Sequence, residues 1–160
     1  MTKLHVKKIP QDYAERAVLV GVKRPNQQWP TESSLAELER LAQTAGAEVV
    51  ATTFQRLESP NPRTFIGSGK VDEVAQLCRS YAADLVIFDD ELTPSQQSNL
   101  EKQVGKDIKI IDRTALILDI FALHATSREG RLQVRLAQNE YLLPRLRGMW
   151  AHLASNRMGG

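Results

Sequence analysis

The sequence holds one cysteine, Cys78, so no disulfide can form within it, and its three histidines, His5, His124 and His152, stand too far apart to spell a metal-binding motif. Aromatic residues make up only 6% of the chain. No run of about 18 apolar residues occurs, which excludes a membrane-spanning helix. The opening Met1-Thr2-Lys3-Leu4-His5-Val6-Lys7-Lys8 has no apolar stretch to serve as a signal-peptide core. A reducing cytoplasm is the expected setting. Also missing are the Gly-x-Ser-x-Gly of a nucleophile elbow, the His-Glu-x-x-His of a zinc peptidase and any Cys-x-x-Cys. With no complete catalytic site, the expected work of the chain is binding.

What is present is ordinary globular composition: 42% apolar and 25% charged residues over 160 positions, enough for one buried core with an appended piece. The net charge of +2 conceals an asymmetry. From Thr126 onward six arginines (Arg128, Arg131, Arg135, Arg145, Arg147, Arg157) face only Glu129 and Glu140, a surplus of about four positive charges, so the remainder carries about −2. A basic surface at one end fits a polyanion partner, with a solvated helix face as the plain alternative.

Apolar runs of strand length recur at Arg16 to Val22, Glu48 to Phe54, Asp84 to Phe88 and Ile108 to Ile111. Between them lie helical patterns. Ser34 and Glu37 read as a capping box ahead of Leu35, Leu38, Leu41, Ala42 and Ala45, with Gly46 as the stop. After Thr64-Phe65-Ile66, read as leading into the next helix, come Val71, Val74, Leu77, Cys78 and Tyr81 on one helix face, which assigns Cys78 to core packing. Thr93, Pro94 and Gln96 form a cap, first-turn proline and partner, and this helix ends at Gly105. Asp112 caps a helix from about Arg113 to Leu123 that is apolar nearly all round and is expected to be well buried.

Alternating strands and helices predict an α/β fold: a mostly parallel sheet of about four strands flanked by helices, followed by a long C-terminal helix. The expected divisions are an extension over residues 1–15, an α/β domain over 16–125 and an arm over 126–160. The arm opens on a second capping box, Thr126 with Glu129, and is expected to run helically to about Arg147, kinked at Pro144.

Two constellations invite a nucleotide. Gly67-Ser68-Gly69-Lys70 stands at an expected strand-to-helix junction after Thr64-Phe65-Ile66, and glycines there bare backbone amides to an anion. Thr64 occupies the first glycine position of a Walker A loop and Val71 replaces its magnesium-binding hydroxyl, so turn-making glycines and a surface lysine are the alternative. Asp89, Asp90 and Glu91 follow the third strand and Asp112 follows the fourth, where open α/β sheets bind ligands, so carboxylates there could hold magnesium or a ribose, with a solvated turn before the Thr93 cap as the alternative. An adenine-nucleotide-binding, ATPase-like module on these residues is the competing functional reading, with a regulatory module of the same protein as a third.

The arm carries the stronger signal. Arg128, Arg131 and Arg135 fall at i, i+3 and i+7, which sets three guanidinium groups on one face, while Leu132, Leu136, Leu143 and Leu146 form an apolar flank. Farther on, Arg145, Arg147, Trp150, His152, Asn156, Arg157, Gly159 and Gly160 mix cations with groups able to pair phosphates and stack bases. RNA is the partner this chemistry fits. The leucine flank is expected to pack back on the core or to recruit a second copy, burial being worth on the order of 1.5–3 kcal/mol per leucine.

Several runs taken together are more specific than any short motif. Phe65-Ile66-Gly67-Ser68-Gly69-Lys70-Val71-Asp72-Glu73, Phe88-Asp89-Asp90-Glu91-Leu92-Thr93-Pro94-Ser95-Gln96-Gln97, Asp112-Arg113-Thr114 and Ile117-Leu118-Asp119-Ile120-Phe121-Ala122 are four of them. Thr126-Ser127-Arg128-Glu129-Gly130, Gln133-Val134 and Tyr141-Leu142-Leu143-Pro144-Arg145-Leu146 complete the set. From roughly Arg16 to Gly160 the chain closely resembles the N-terminal domain of the HflX-type ribosome-associated GTPases. That resemblance implies a parent GTPase that binds the large ribosomal subunit and helps split stalled or idle ribosomes. It also implies an α/β part joined to a helical hairpin whose tip reaches toward the peptidyl-transferase region. On that reading residues 126–160 are the first half of the hairpin, with Arg128, Arg131 and Arg135 on its first helix and Gly159-Gly160 opening the tip loop. The second hairpin helix and the GTP-binding domain lie outside these residues. GTP and magnesium would belong to that domain, and no cofactor is expected here. The implied partners are the large subunit with its RNA and the GTP-binding domain itself.

Overall fold

The structure, a computed structural model, describes residues 14–158, with residues 147–158 described by backbone alone. Strand β1 (Arg16–Lys23) is followed by α1 (Thr31–Thr44), β2 (Glu48–Arg56), α2 (Ser68–Ser80), β3 (Leu85–Phe88) and α3 (Pro94–Val104). Then come β4 (Lys109–Asp112), α4 (Arg113–His124) and the long α5 (Arg128–Met158). All strand pairs are parallel and the sheet order is β2-β1-β3-β4. The α/β sheet with its long terminal helix is the architecture expected from the alternating runs.

Strand periodicity of two divides the core into faces. Val18, Val20 and Val22 of β1, with Val86 and Phe88 of β3, meet Val71, Val74 and Cys78 of α2 and Leu100 of α3. Ala17 and Leu19, with Leu85 and Ile87, meet Leu35, Leu38 and Ala42 of α1 and Leu116 of α4. Cys78 is buried as the helical spacing implies, and burial pushes its thiol pKa up, which suits a packing residue. Tyr81, placed on the same inner face by spacing, is instead the exposed C-cap of α2.

Other local expectations also need correction. Helix α1 begins at Thr31, not after Ser34: Pro30 supplies the fixed φ, its carbonyl accepts the Ser34 amide, and the Thr31 hydroxyl donates to Gln27 Oε1. Thr64-Phe65-Ile66 forms no sheet strand. It closes a turn in which the backbones of Asn61 and Phe65 exchange two hydrogen bonds, with Phe65 at φ 66°, while Asn61 Oδ1 accepts from the amides of Arg63 and Thr64.

Helix α4 is not well buried: only Leu116 is, while Phe121 is 56% and Leu123 69% exposed. One helix can offer the sheet only one stripe, and the rest of α4's apolar girth is left for α5 and solvent. Finally, α5 is capped by Ser127, whose Oγ accepts the Gly130 amide, rather than by Thr126, and its backbone stays helical through Pro144 to Met158 rather than stopping near Arg147.

Candidate nucleic-acid interface

At 31 residues α5 is about 46 Å long, far longer than the sheet is wide, so its attachment decides where its charges point. That attachment is built on Asp112. The carboxylate is fully buried at the end of β4. Its Oδ1 accepts the Ala115 amide at 2.9 Å, capping α4, and the Tyr141 hydroxyl at 2.8 Å, while Oδ2 accepts the Leu92 amide at 2.9 Å. A buried charge survives only when paired and hydrogen-bonded, and here the counter-charge is Arg145 at 3.7 Å.

Arg145 sits one turn beyond Tyr141 and grips three elements at once. Its Nε donates to Gln97 Oε1 on α3 and its Nη1 to the Tyr141 carbonyl, both at 2.8 Å, and its Nη2 donates to the Leu92 carbonyl. The guanidinium lies 3.7 Å from the centre of the Tyr141 ring. Burial, and then the negative charge of Asp112, push the Tyr141 hydroxyl well above its ordinary pKa, so it stays a proton donor. Arg145, one of the arm cations singled out for RNA, is thus committed within the chain.

Arg128, Arg131 and Arg135 differ. All three are exposed, and none forms an ion pair among the described residues. On the same helix Leu132, Leu136, Leu142, Leu143 and Leu146 are 46–60% exposed, so the leucine flank does not fold back on the core. The side chains of Arg147, Trp150, His152, Asn156 and Arg157, and all of Gly159 and Gly160, lie outside the described residues.

The nucleotide constellation is dispersed into internal pairings. Asp89 accepts the Ser34 hydroxyl at 2.5 Å and pairs with Arg113, whose guanidinium also reaches the Ser34 carbonyl and Glu37. Asp90 pairs with Arg24 at 3.4 Å, and burial, outweighing that attraction, raises its carboxyl pKa. These pairs lie beyond the carboxyl ends of β1 and β3, the position where an order of this kind would seat a ligand. Gly67 donates its amide to Gln55 Oε1, and Lys70 is held by Glu73 at 2.7 Å. The described residues of this chain therefore do not fit GTP with magnesium: they offer no free phosphate loop and no magnesium-binding hydroxyl beside it.

The family model described as GTP-binding GTPase N-terminal matches residues 32–122, more than half of the chain, and the one described as GTP-binding GTPase Middle Region matches residues 124–160. The chain belongs to this GTPase N-terminal family. Relatives named GTPase HflX resemble it closely. The protein of Alkalihalophilus pseudofirmus is 51% identical over 95% of this chain and 35% of its own length. That of Flavobacterium psychrophilum is 49% identical over 91% of this chain and 35% of its own. The chain spans about a third of the length of these curated relatives. Among solved structures, one titled as a complex of SsGBP with GDP aligns with TM-score 0.66 at 25% identity, over 84% of this chain and 37% of that one. A GTP-binding protein of Sulfolobus solfataricus in complex with GDP shares the fold at TM-score 0.63, over 90% of this chain and 42% of that one.

Within this HflX-type N-terminal region, sequence reasoning missed three side chains. Tyr141 and Gln97 were legible only as parts of a family run, and Ser34 was taken for a cap. Their partners lie 29, 48 and 55 residues away, distances at which no local pattern reports a contact. Asp112 carried a usable signal, its place as a helix cap, but not its second task of holding the arm.

Proposed function

We propose that this chain is the ribosome- and RNA-binding N-terminal portion of a cytoplasmic HflX-type GTPase, which engages the large ribosomal subunit and promotes ribosome splitting or rescue. GTP and magnesium act in the parent's GTP-binding domain, and this portion positions that domain on the ribosome. The observation that carries the reading is the division of labour along α5. The Tyr141–Asp112–Arg145 latch fixes the arm, while Arg128, Arg131 and Arg135 face solvent with no acidic partner among the described residues. Such a row of cations binds phosphates in a salt-dependent way. The leucines beside it form the face for a second hairpin helix and, without that helix, for a second copy of the chain.

The test is cosedimentation with large ribosomal subunits. Changing Arg128, Arg131 and Arg135 together to Glu is expected to abolish binding while the melting curve stays put, because all three are exposed. Arg145 is unsuitable for this purpose, since its loss opens the latch. Undiminished cosedimentation of the triple variant would defeat the reading.

A further inference from the structure

A second cationic surface lies away from the arm, at the carboxyl ends of β1 and β2. Lys23, Arg24 and Arg56 line one open concavity with Pro25, Leu57 and Glu58. Their internal partners are incomplete. Lys23 meets Glu32 only at 3.4 Å on the surface, and Arg56 forms no ion pair among the described residues. Arg24 reaches Asp90 through Nη2, yet its Nε is buried without a hydrogen-bond partner. A buried donor left unsatisfied marks a guanidinium whose pairing within the chain is incomplete, and with about a third of its side chain exposed Arg24 can still attract an anion from outside. Arg24 is also held in place from behind, 5.6 Å from the centre of the Phe65 ring, and Phe65 is fixed in the left-handed region by the Asn61 turn. The same β1–α1 loop that supplies Pro25 carries Trp29, which is 72% exposed and so free to stack.

The geometry points to a second contact for single-stranded RNA, in which the Lys23–Arg24–Arg56 concavity takes a backbone phosphodiester and Trp29 stacks a neighbouring base. Cations supply sequence-independent attraction and an aromatic face supplies base stacking, the pairing that single-strand binders use. The positive charge of Lys23, Arg24 and Arg56 favours a phosphate there over a neutral group. Glu58 at the rim and Glu32 beside Lys23 keep the attraction moderate, so phosphate alone is a poor ligand and the stacked base is required. This site is independent of the arm reading.

The experiment uses the full chain and a fluorescein-labelled ten-nucleotide uridine RNA, followed by anisotropy across a salt series. Arg128, Arg131 and Arg135 are first changed to Gln, which removes the three-arginine face of the arm. In that background measurable binding is expected to persist. Adding Trp29→Ala should weaken it about tenfold, and Arg56→Gln should lower the salt slope by about 0.7. Both residues are exposed, so melting curves should not move. If the arm-neutralised chain binds no RNA, or if neither variant changes its affinity, the proposal is overturned. Competition by inorganic phosphate as effective as by unlabelled RNA would also overturn it, showing a small-anion site only. A failure of the arm reading looks different: the arm-neutralised chain would then bind RNA as tightly as the original.

Discussion

Helices α1, α2 and α3 turn their apolar residues onto the sheet, whereas α4 does so with Leu116 but leaves Phe121 and Leu123 exposed, and α5 leaves its leucines exposed. Leu35 and Leu38 of α1 are 6% and 0% exposed, while Leu132 and Leu136 of α5 are 55% and 60% exposed. The residue type is the same and the helical spacing is the same. What differs is the surface on offer: the sheet gives α1, α2 and α3 a broad apolar partner, while α5, among the described residues, packs mainly on α4 and α3. The first region is held by burial, which is diffuse, and the second by a latch, which is local. On that contrast, loss of a latch residue is expected to loosen the arm and leave the sheet and its helices folded, except at the one residue that serves both.

Asp112 is that residue, and changing it should have the largest effect. Asp112→Ala removes the cap of α4, the acceptor for Leu92 and Tyr141, and the counter-charge of Arg145 in one step. Leaving a buried charge without its partner costs about 3–5 kcal/mol. Urea unfolding should show a loss of that order, accompanied by faster amide exchange along α5. A loss under about 1 kcal/mol would mean that the hub is solvated and the contrast between diffuse and local attachment is false.

The next test sets equal truncations in the two regions against each other. Leu38→Ala opens a cavity beneath the sheet and should cost about 2–5 kcal/mol. Leu136→Ala removes surface that water already reaches and should change stability by less than about 0.5 kcal/mol. The same Leu136 variant should lower any concentration-dependent self-association measured by light scattering. Equal stability losses would show that α5 buries its leucines after all.

How much of this was legible beforehand follows the same division. The four strands, Gly46 and Gly105 as helix stops, and the Thr93–Gln96 capping box were readable because each is a local consequence of neighbouring residues; both glycines take positive φ, at 91° and 143°. The extent of α4's burial was not readable, because an apolar helix reports only that a partner is wanted, not that one is present. Arg145 read as a free cation for a related reason. Spacing shows which helix face a guanidinium occupies, but whether it meets phosphate or Asp112 depends on contacts between residues 33 positions apart.

The smallest effect should come from the other aspartate at the carboxyl edge. Asp90 contrasts with Asp112: it has one ion pair, with Arg24 at 3.4 Å, and burial raises its carboxyl above the ordinary value near 3.8 because desolvation outweighs that pair. A carboxyl whose folded pKa is raised favours folding in its protonated form. Its contribution is complete below the unfolded value and is lost as pH rises through the folded one. At neutral pH the ionised Asp90 is therefore a net cost, and Asp90→Asn, which cannot ionise, escapes it. The variant does forgo its share of a half-exposed ion pair, worth about 0–1 kcal/mol, which keeps the change below those of Asp112 and Leu38. Melting temperatures of the two chains compared from pH 3 upward should move in favour of the variant as the wild-type carboxyl ionises. A shift the other way, with wild type gaining on the variant as pH rises, would show that the attraction of Arg24 dominates and that its guanidinium is already satisfied by Asp90.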